Sequence, residues 1–171
     1  KEQIEEEALD IVRRFPKLRM IFAHLFFESD NYPRACQILD EHPNLYFDIC
    51  PGIEMYQNFV KDPELWHDFF EKYADRILYG TDTVYDTYVD KVESIFSCLS
   101  DGSKAAFYAG VNKGLHLSKE TLQKVMGGNF LTYLDREPKP VNVARVLEFA
   151  KDLRKFVETY DNTPFYQGQI D

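Results

Sequence analysis

Three short apolar runs, each delivering a polar residue at or near its C-terminal end, constrain this chain most. Leu18 to Ala23 leads into His24, Leu45 to Ile49 carries Asp48, and Ile77 to Tyr79 is followed by Gly80, Thr81 and Asp82. A strand covered on both faces reads as a nearly continuous apolar run, so runs of this kind separated by helical spacings indicate a parallel α/β fold. In such folds the side chains at the carboxyl ends of the strands converge on one rim, where the chemistry collects.

The segments between the runs support this. Ile4, Ala8, Ile11, Val12 and Phe15 recur at helical spacing, and Pro16 stops that helix before the first run. Ala35, Ile38 and Leu39 mark a second helix, and His42, Pro43 and Asn44 turn the chain into the second run. The spacing predicts a loop over 53–62, then a helix that starts at Pro63 with Asp62 as its cap and carries Leu65, Trp66, Phe69, Phe70 and Tyr73. A loop over 81–87 precedes a helix with Val89, Val92, Ile95, Phe96 and Leu99. Beyond it the strand pattern stops. Ser118 caps a short helix that Gly127 and Gly128 terminate, Asn129 starts another turn, and Glu137 to Pro140 reads as a linker. Val143, Val146, Leu147, Ala150, Leu153 and Val157 then share one face of a final helix.

The chain of 171 residues is 44% hydrophobic, enough for one domain with a sizeable core. Its net charge of -9 speaks against a nucleic-acid partner, because surfaces that bind phosphate backbones are basic. No apolar stretch approaches the roughly 20 residues of a membrane span, and the charged run Lys1 to Glu7 does not read as a signal peptide. Cys36, Cys50 and Cys98 are odd in number and widely spaced, which fits reduced thiols and a cytoplasmic setting. Three strands are fewer than a closed (β/α)8 barrel of about 250 residues or an open doubly wound sheet of about five or six strands requires. The expectation is therefore the C-terminal part of a larger α/β fold, with a chain that begins at Lys1 rather than Met.

The motifs Arg14-Phe15-Pro16, Met20-Ile21-Phe22-Ala23-His24, His42-Pro43-Asn44-Leu45-Tyr46-Phe47-Asp48 and Arg76-Ile77-Leu78-Tyr79-Gly80-Thr81-Asp82 occur in that order. Gly114-Leu115-His116-Leu117-Ser118 and Gly127-Gly128-Asn129 follow. Together, from about Glu7 to Leu134, they resemble the amidohydrolase-related branch of the metal-dependent amidohydrolase superfamily. The resemblance implies strands six to eight of a TIM barrel with their helices over residues 1–136, and a linker with a C-terminal helical appendage over 137–171.

By the same resemblance, Asp82 matches the carboxylate that binds the catalytic divalent metal, Zn²⁺ first among candidates, or its attacking water. His24 matches the histidine that either binds a second metal or shuttles protons. A bound metal lowers the pKa of water from 15.7 toward roughly 7, and a carboxylate and an imidazole beside it can then move the proton. The family's His-x-His pair and its fifth-strand ligand are absent from this sequence, so the chain alone is expected to be inactive. The family also tends to follow this histidine with small residues, whereas Leu25, Phe26 and Phe27 stand here. Those aromatics either line a pocket, Phe26 among them, or simply pack.

Asp48, Glu54 and Tyr56 are further candidates for substrate contact. Each candidate has a plainer alternative: a hydrogen-bonded strand-end histidine for His24, an Asx turn for Asp82, a structural acceptor for Asp48, and loop packing for Glu54 and Tyr56. Two functions follow. One is a metal-dependent hydrolase or decarboxylase acting on a small carboxylate or amide-like substrate. The other is a non-catalytic interaction module derived from the same barrel. The expected partner is a small molecule, with neither nucleic acid nor membrane, and self-association into a homo-oligomer is left open.

Overall fold

A computed structural model describes residues 2–50, 52–82, 89–134 and 140–160. The chain divides into two compact units, Lys1–Leu134 and Asp135–Asp171.

The first unit is built on a three-stranded parallel sheet of β1 (Met20–Phe22), β2 (Leu45–Asp48) and β3 (Ile77–Leu78), in that order. Met20, Ile21 and Phe22 lie beside Leu45, Tyr46 and Phe47, and Phe47 and Asp48 lie beside Ile77 and Leu78. This register aligns the carboxyl ends of the strands, so the residues that follow each strand emerge at one edge. Leu45, Phe47 and Ile49 are fully buried while Tyr46, Asp48 and Cys50 are half-buried. The alternation is that of a pleated strand, and it places Asp48 and Cys50 on the same face.

Helix α1 (Glu2–Arg14) precedes β1, and α2 (Tyr32–Glu41) joins β1 to β2. The buried face of α1 is Glu5, Leu9 and Val12, whereas Ile4, Ile11 and Phe15 of the expected apolar set are exposed. A carboxylate occupies that face because the Arg34 guanidinium on α2 meets it, with Nε 2.7 Å from Glu5 Oε1. Ala35, Ile38 and Leu39 of α2 are buried, as their spacing predicts.

The expected loop over 53–62 is instead helical. Residues Ile53–Lys61 form α3. Met55, Tyr56, Phe59 and Val60 repeat at helical spacing and all face the core. Helix α4 (Pro63–Lys72) follows at once, with the Asp62 carboxylate accepting from the Leu65 N–H at its start. The rings of Tyr56, Phe59, Trp66, Phe69, Phe70 and Tyr73 pack edge-on and tilted between α3 and α4.

Beyond β3 the described residues of the unit form α5 (Val89–Leu99), α6 (Ala106–Ala109), α7 (Lys119–Gln123) and α8 (Asn129–Tyr133) and no further strand. Ser118 caps α7 by accepting from Thr121 N–H, as the sequence predicts. A π-helical turn at Lys124–Gly128 carries the chain from α7 into α8. The Tyr79 N–H donates to the Val125 carbonyl of that turn, and Asn129 donates to the carbonyls of Ala74 and Ile77 at 2.6 and 2.7 Å. These bonds tie β3 to the segment after it. The loop expected over 81–87 lies outside the described residues from position 83 onward, and so does most of the expected linker.

In the second unit α9 spans Val143–Tyr160, and Asn142 accepts from the Arg145 N–H at its start. Among the described residues no helix is long and apolar enough to cross a membrane. All three cysteines are free.

Candidate active site

At the end of β1 the chain enters a left-handed turn. His24, Leu25, Phe26 and Phe27 have φ of 55°, 52°, 55° and 60°. An L-residue in this region costs roughly 1–2 kcal/mol, so four in succession without glycine must be held by their surroundings. Leu25 supplies one anchor, being fully buried in the core.

The other anchors come from β2. The His24 backbone N–H donates to Asp48 Oδ1 at 2.9 Å, and the Cys50 N–H donates to the same oxygen at 3.0 Å. The His24 ring closes the circuit, with Nδ1 2.9 Å from the Cys50 carbonyl oxygen. A carbonyl only accepts, so Nδ1 carries a proton, and in the neutral imidazole Nε2 is then the nitrogen with the lone pair.

Cys50 also links β2 to the end of β3. Its sulfur lies against Gly80, just beyond β3. Burial, reinforced by the charges of Asp48 and Asp82, pushes the thiol up to about 11, so it stays neutral at pH 7. Gly80 makes this approach possible, since a Cβ there would overlap the Cys50 sulfur. Asp82 is exposed and adopts a left-handed φ of 46°. Three strand ends thus meet around one cysteine, with His24 bonded to its carbonyl and Gly80 against its sulfur.

A cleft of about 400 Å³ opens beside His24, with Phe27, Asp30, Glu54, Met55 and Asn58 on its walls. Glu54 therefore shares the cleft with His24. Tyr56 does not reach it: the side chain is fully buried, its hydroxyl donates to the Ile49 carbonyl at 2.9 Å, and its ring packs on Phe59 and Tyr108. Phe26 is half-buried with its ring 4.3 Å from that of Phe22, whereas Phe27 is the aromatic on the cleft wall. Asp48 is engaged by backbone N–H groups on Oδ1.

Sequence reasoning missed Cys50, Asp30 and Asn58. Cys50 was within reach, since it stands two residues after Asp48 and a strand puts such residues on one face. Asn58 lies four residues after Glu54, a shared face only once 53–61 is helical. Of the remaining histidines, His116 is exposed and the other two are structural. His42 is buried, and desolvation lowers its pKa; His67 Nδ1 bonds the Leu115 carbonyl at 2.8 Å.

Among the described residues no group of three or more His, Cys, Asp and Glu side chains is placed to hold a metal ion. A catalytic metal takes roughly three protein ligands and an open position. His24 and Asp82 supply two donors at most, so the described residues do not by themselves fit a catalytic metal.

A family model described as Amidohydrolase matches residues 5–129, most of the chain and all three strands. Neither the curated proteins nor the solved structures yield a match.

Proposed function

This chain belongs to the amidohydrolase family, a family of metal-dependent hydrolase-type enzymes, and from that premise we propose that the rim of β1, β2 and β3 forms part of an active site. It would act on a small carboxylate or amide-like substrate, by hydrolysis or by decarboxylation. The carrying observation is the contact of His24: Nδ1 is committed to the Cys50 carbonyl, so in the neutral ring Nε2 is the nitrogen that can take a proton beside the cleft. In hydrolysis Nε2 takes a proton from the attacking water and returns it to the leaving nitrogen. In decarboxylation its protonated form delivers a proton to the carbon that loses carbon dioxide. A group in this role contributes about 10²- to 10⁴-fold to rate. Asp82, exposed at the end of β3, is the carboxylate assigned to the water or to a ligand cation.

The parallel order β1-β2-β3 and helices between the strands support an assignment to strands six to eight of a barrel, with residues 1–136 its C-terminal portion and 137–171 an appendage. A divalent metal, Zn²⁺ first, is part of this proposal for the full-length protein. Its remaining ligands would come from outside the described residues; the role given to His24 concerns protons alone, while Asp82 would hold the metal or its water. Reduced thiols support a cytoplasmic setting. The family match does not favour a non-catalytic module.

The test is turnover by the full-length protein of a panel of amides and carboxylic acids, with ammonia or amine and carbon dioxide as separate readouts. Release of either, abolished by a chelator and restored by Zn²⁺, is the expected result. No product from any panel member, with Zn²⁺ bound at the expected stoichiometry, argues for the non-catalytic module.

A further inference from the structure

The turn that presents His24 is conformationally unfavourable for the residues that form it. Leu25, Phe26 and Phe27 carry side chains that resist left-handed φ, yet all three adopt it. What opposes this on the β2 side begins at one carboxylate oxygen. Asp48 Oδ1 accepts the first N–H of the turn, from His24, and also the N–H of Cys50, whose carbonyl in turn holds the His24 ring. Without that oxygen two N–H groups lose their acceptor together, and the residue orienting the imidazole loses its own anchor.

We propose that Asp48 is a positioning residue: its carboxylate clasps the exit of β1 to β2 and so holds the left-handed turn that aims His24 and Phe27 into the cleft. It does not bind substrate. Consequences for turnover rest on the proton-handling role given to His24. The clasp itself is visible without turnover. Glycine adopts left-handed φ without steric cost, so glycine in the turn should substitute for part of the clasp. No such rescue is expected if Asp48 were a substrate contact.

The experiment uses the full-length protein labelled with ¹⁵N-histidine, in wild-type form and as Asp48→Asn, Asp48→Ala and Asp48→Ala with Phe27→Gly. Imidazole ¹⁵N shifts report the tautomer of His24, amide exchange reports its N–H, and kcat and KM are read in parallel. In the wild type a pure Nδ1–H tautomer and a slowly exchanging His24 amide are expected; a fast-exchanging amide there overturns the clasp whether or not any variant folds. Asp48→Asn keeps an acceptor oxygen and should keep the tautomer. Asp48→Ala should give mixed tautomers and a kcat lower by about 10- to 100-fold with KM nearly unchanged, and Phe27→Gly should restore the Nδ1–H form. An Asp48→Ala protein that keeps the tautomer and only raises KM overturns the proposal. A wild type with the tautomer and the protected amide, but with turnover indifferent to His24→Ala, removes the proton role of His24 and leaves the clasp standing.

Discussion

One added methyl group at Gly80 would collide with the Cys50 sulfur, while the Cys50 Cβ stands 3.6 Å away, at ordinary contact distance. Gly80→Ala is therefore expected to destabilise by about 1–3 kcal/mol, the usual cost of overfilling a packed site. Cys50→Ala removes the sulfur and should make Gly80→Ala nearly silent. The coupling in a double-mutant cycle by urea unfolding should exceed about 1 kcal/mol, whereas additive effects would mean that the two residues do not touch. Asn129 is a second close constraint. It is buried and donates to two carbonyls, so Asn129→Ala should cost about 1–3 kcal/mol in the same assay by leaving both unpaired. At this scale the sequence shows which residues matter better than it shows what they touch. Asp82 and Asn129 stand out through motif position, but the contact of Gly80 with Cys50 joins residues thirty apart, and no local pattern announces it.

Helix α7 is anchored from α4 rather than by its own cap alone. Glu71 accepts from the Ser118 N–H at 2.6 Å, the Ser118 hydroxyl at 3.0 Å and the Thr121 hydroxyl at 2.6 Å. Burial alone would raise its pKa, but these bonds outweigh burial and hold the carboxyl below its usual value. A carboxyl with a depressed folded pKa contributes stability above its unfolded pKa and loses it as pH falls through the folded one. Glu71→Ala should thus cost about 1–3 kcal/mol at neutral pH, as for a charged hydrogen-bonded group. Urea unfolding of the wild type and the variant should converge once the pH is below the folded pKa of Glu71. A gap of constant size across that range would show that the charge is not involved. Elements with a clear start signal, such as Asp62-Pro63 for α4, were legible in the sequence. Helix α3 was not, because its core-facing Met55, Tyr56, Phe59 and Val60 sit in a short segment between Pro51-Gly52 and Pro63, whose turn-forming flanks read as a loop. The face of α1 was misjudged for another reason: hydrophobicity alone cannot anticipate that Arg34 makes Glu5 a buried residue.

For the whole molecule, the parallel α/β order and the convergence of His24, Asp48 and Asp82 follow from the alternation of apolar runs and helices, which needs only local sequence. A complete metal site does not follow, since its ligands must be gathered from several strands and the described residues contribute two donors at most. The cleft was only partly legible, because Phe27 reaches it through a left-handed turn that bulky residues seldom adopt. The central claim is that His24 and Asp82 serve one hydrolase-type active site in the full-length protein. The most direct measurement is kcat together with metal content for the wild type, His24→Ala and Asp82→Asn. A fall in kcat of about 10²-fold or more in both variants is expected, with bound metal largely kept in His24→Ala and reduced in Asp82→Asn. Unchanged turnover in both variants would contradict it.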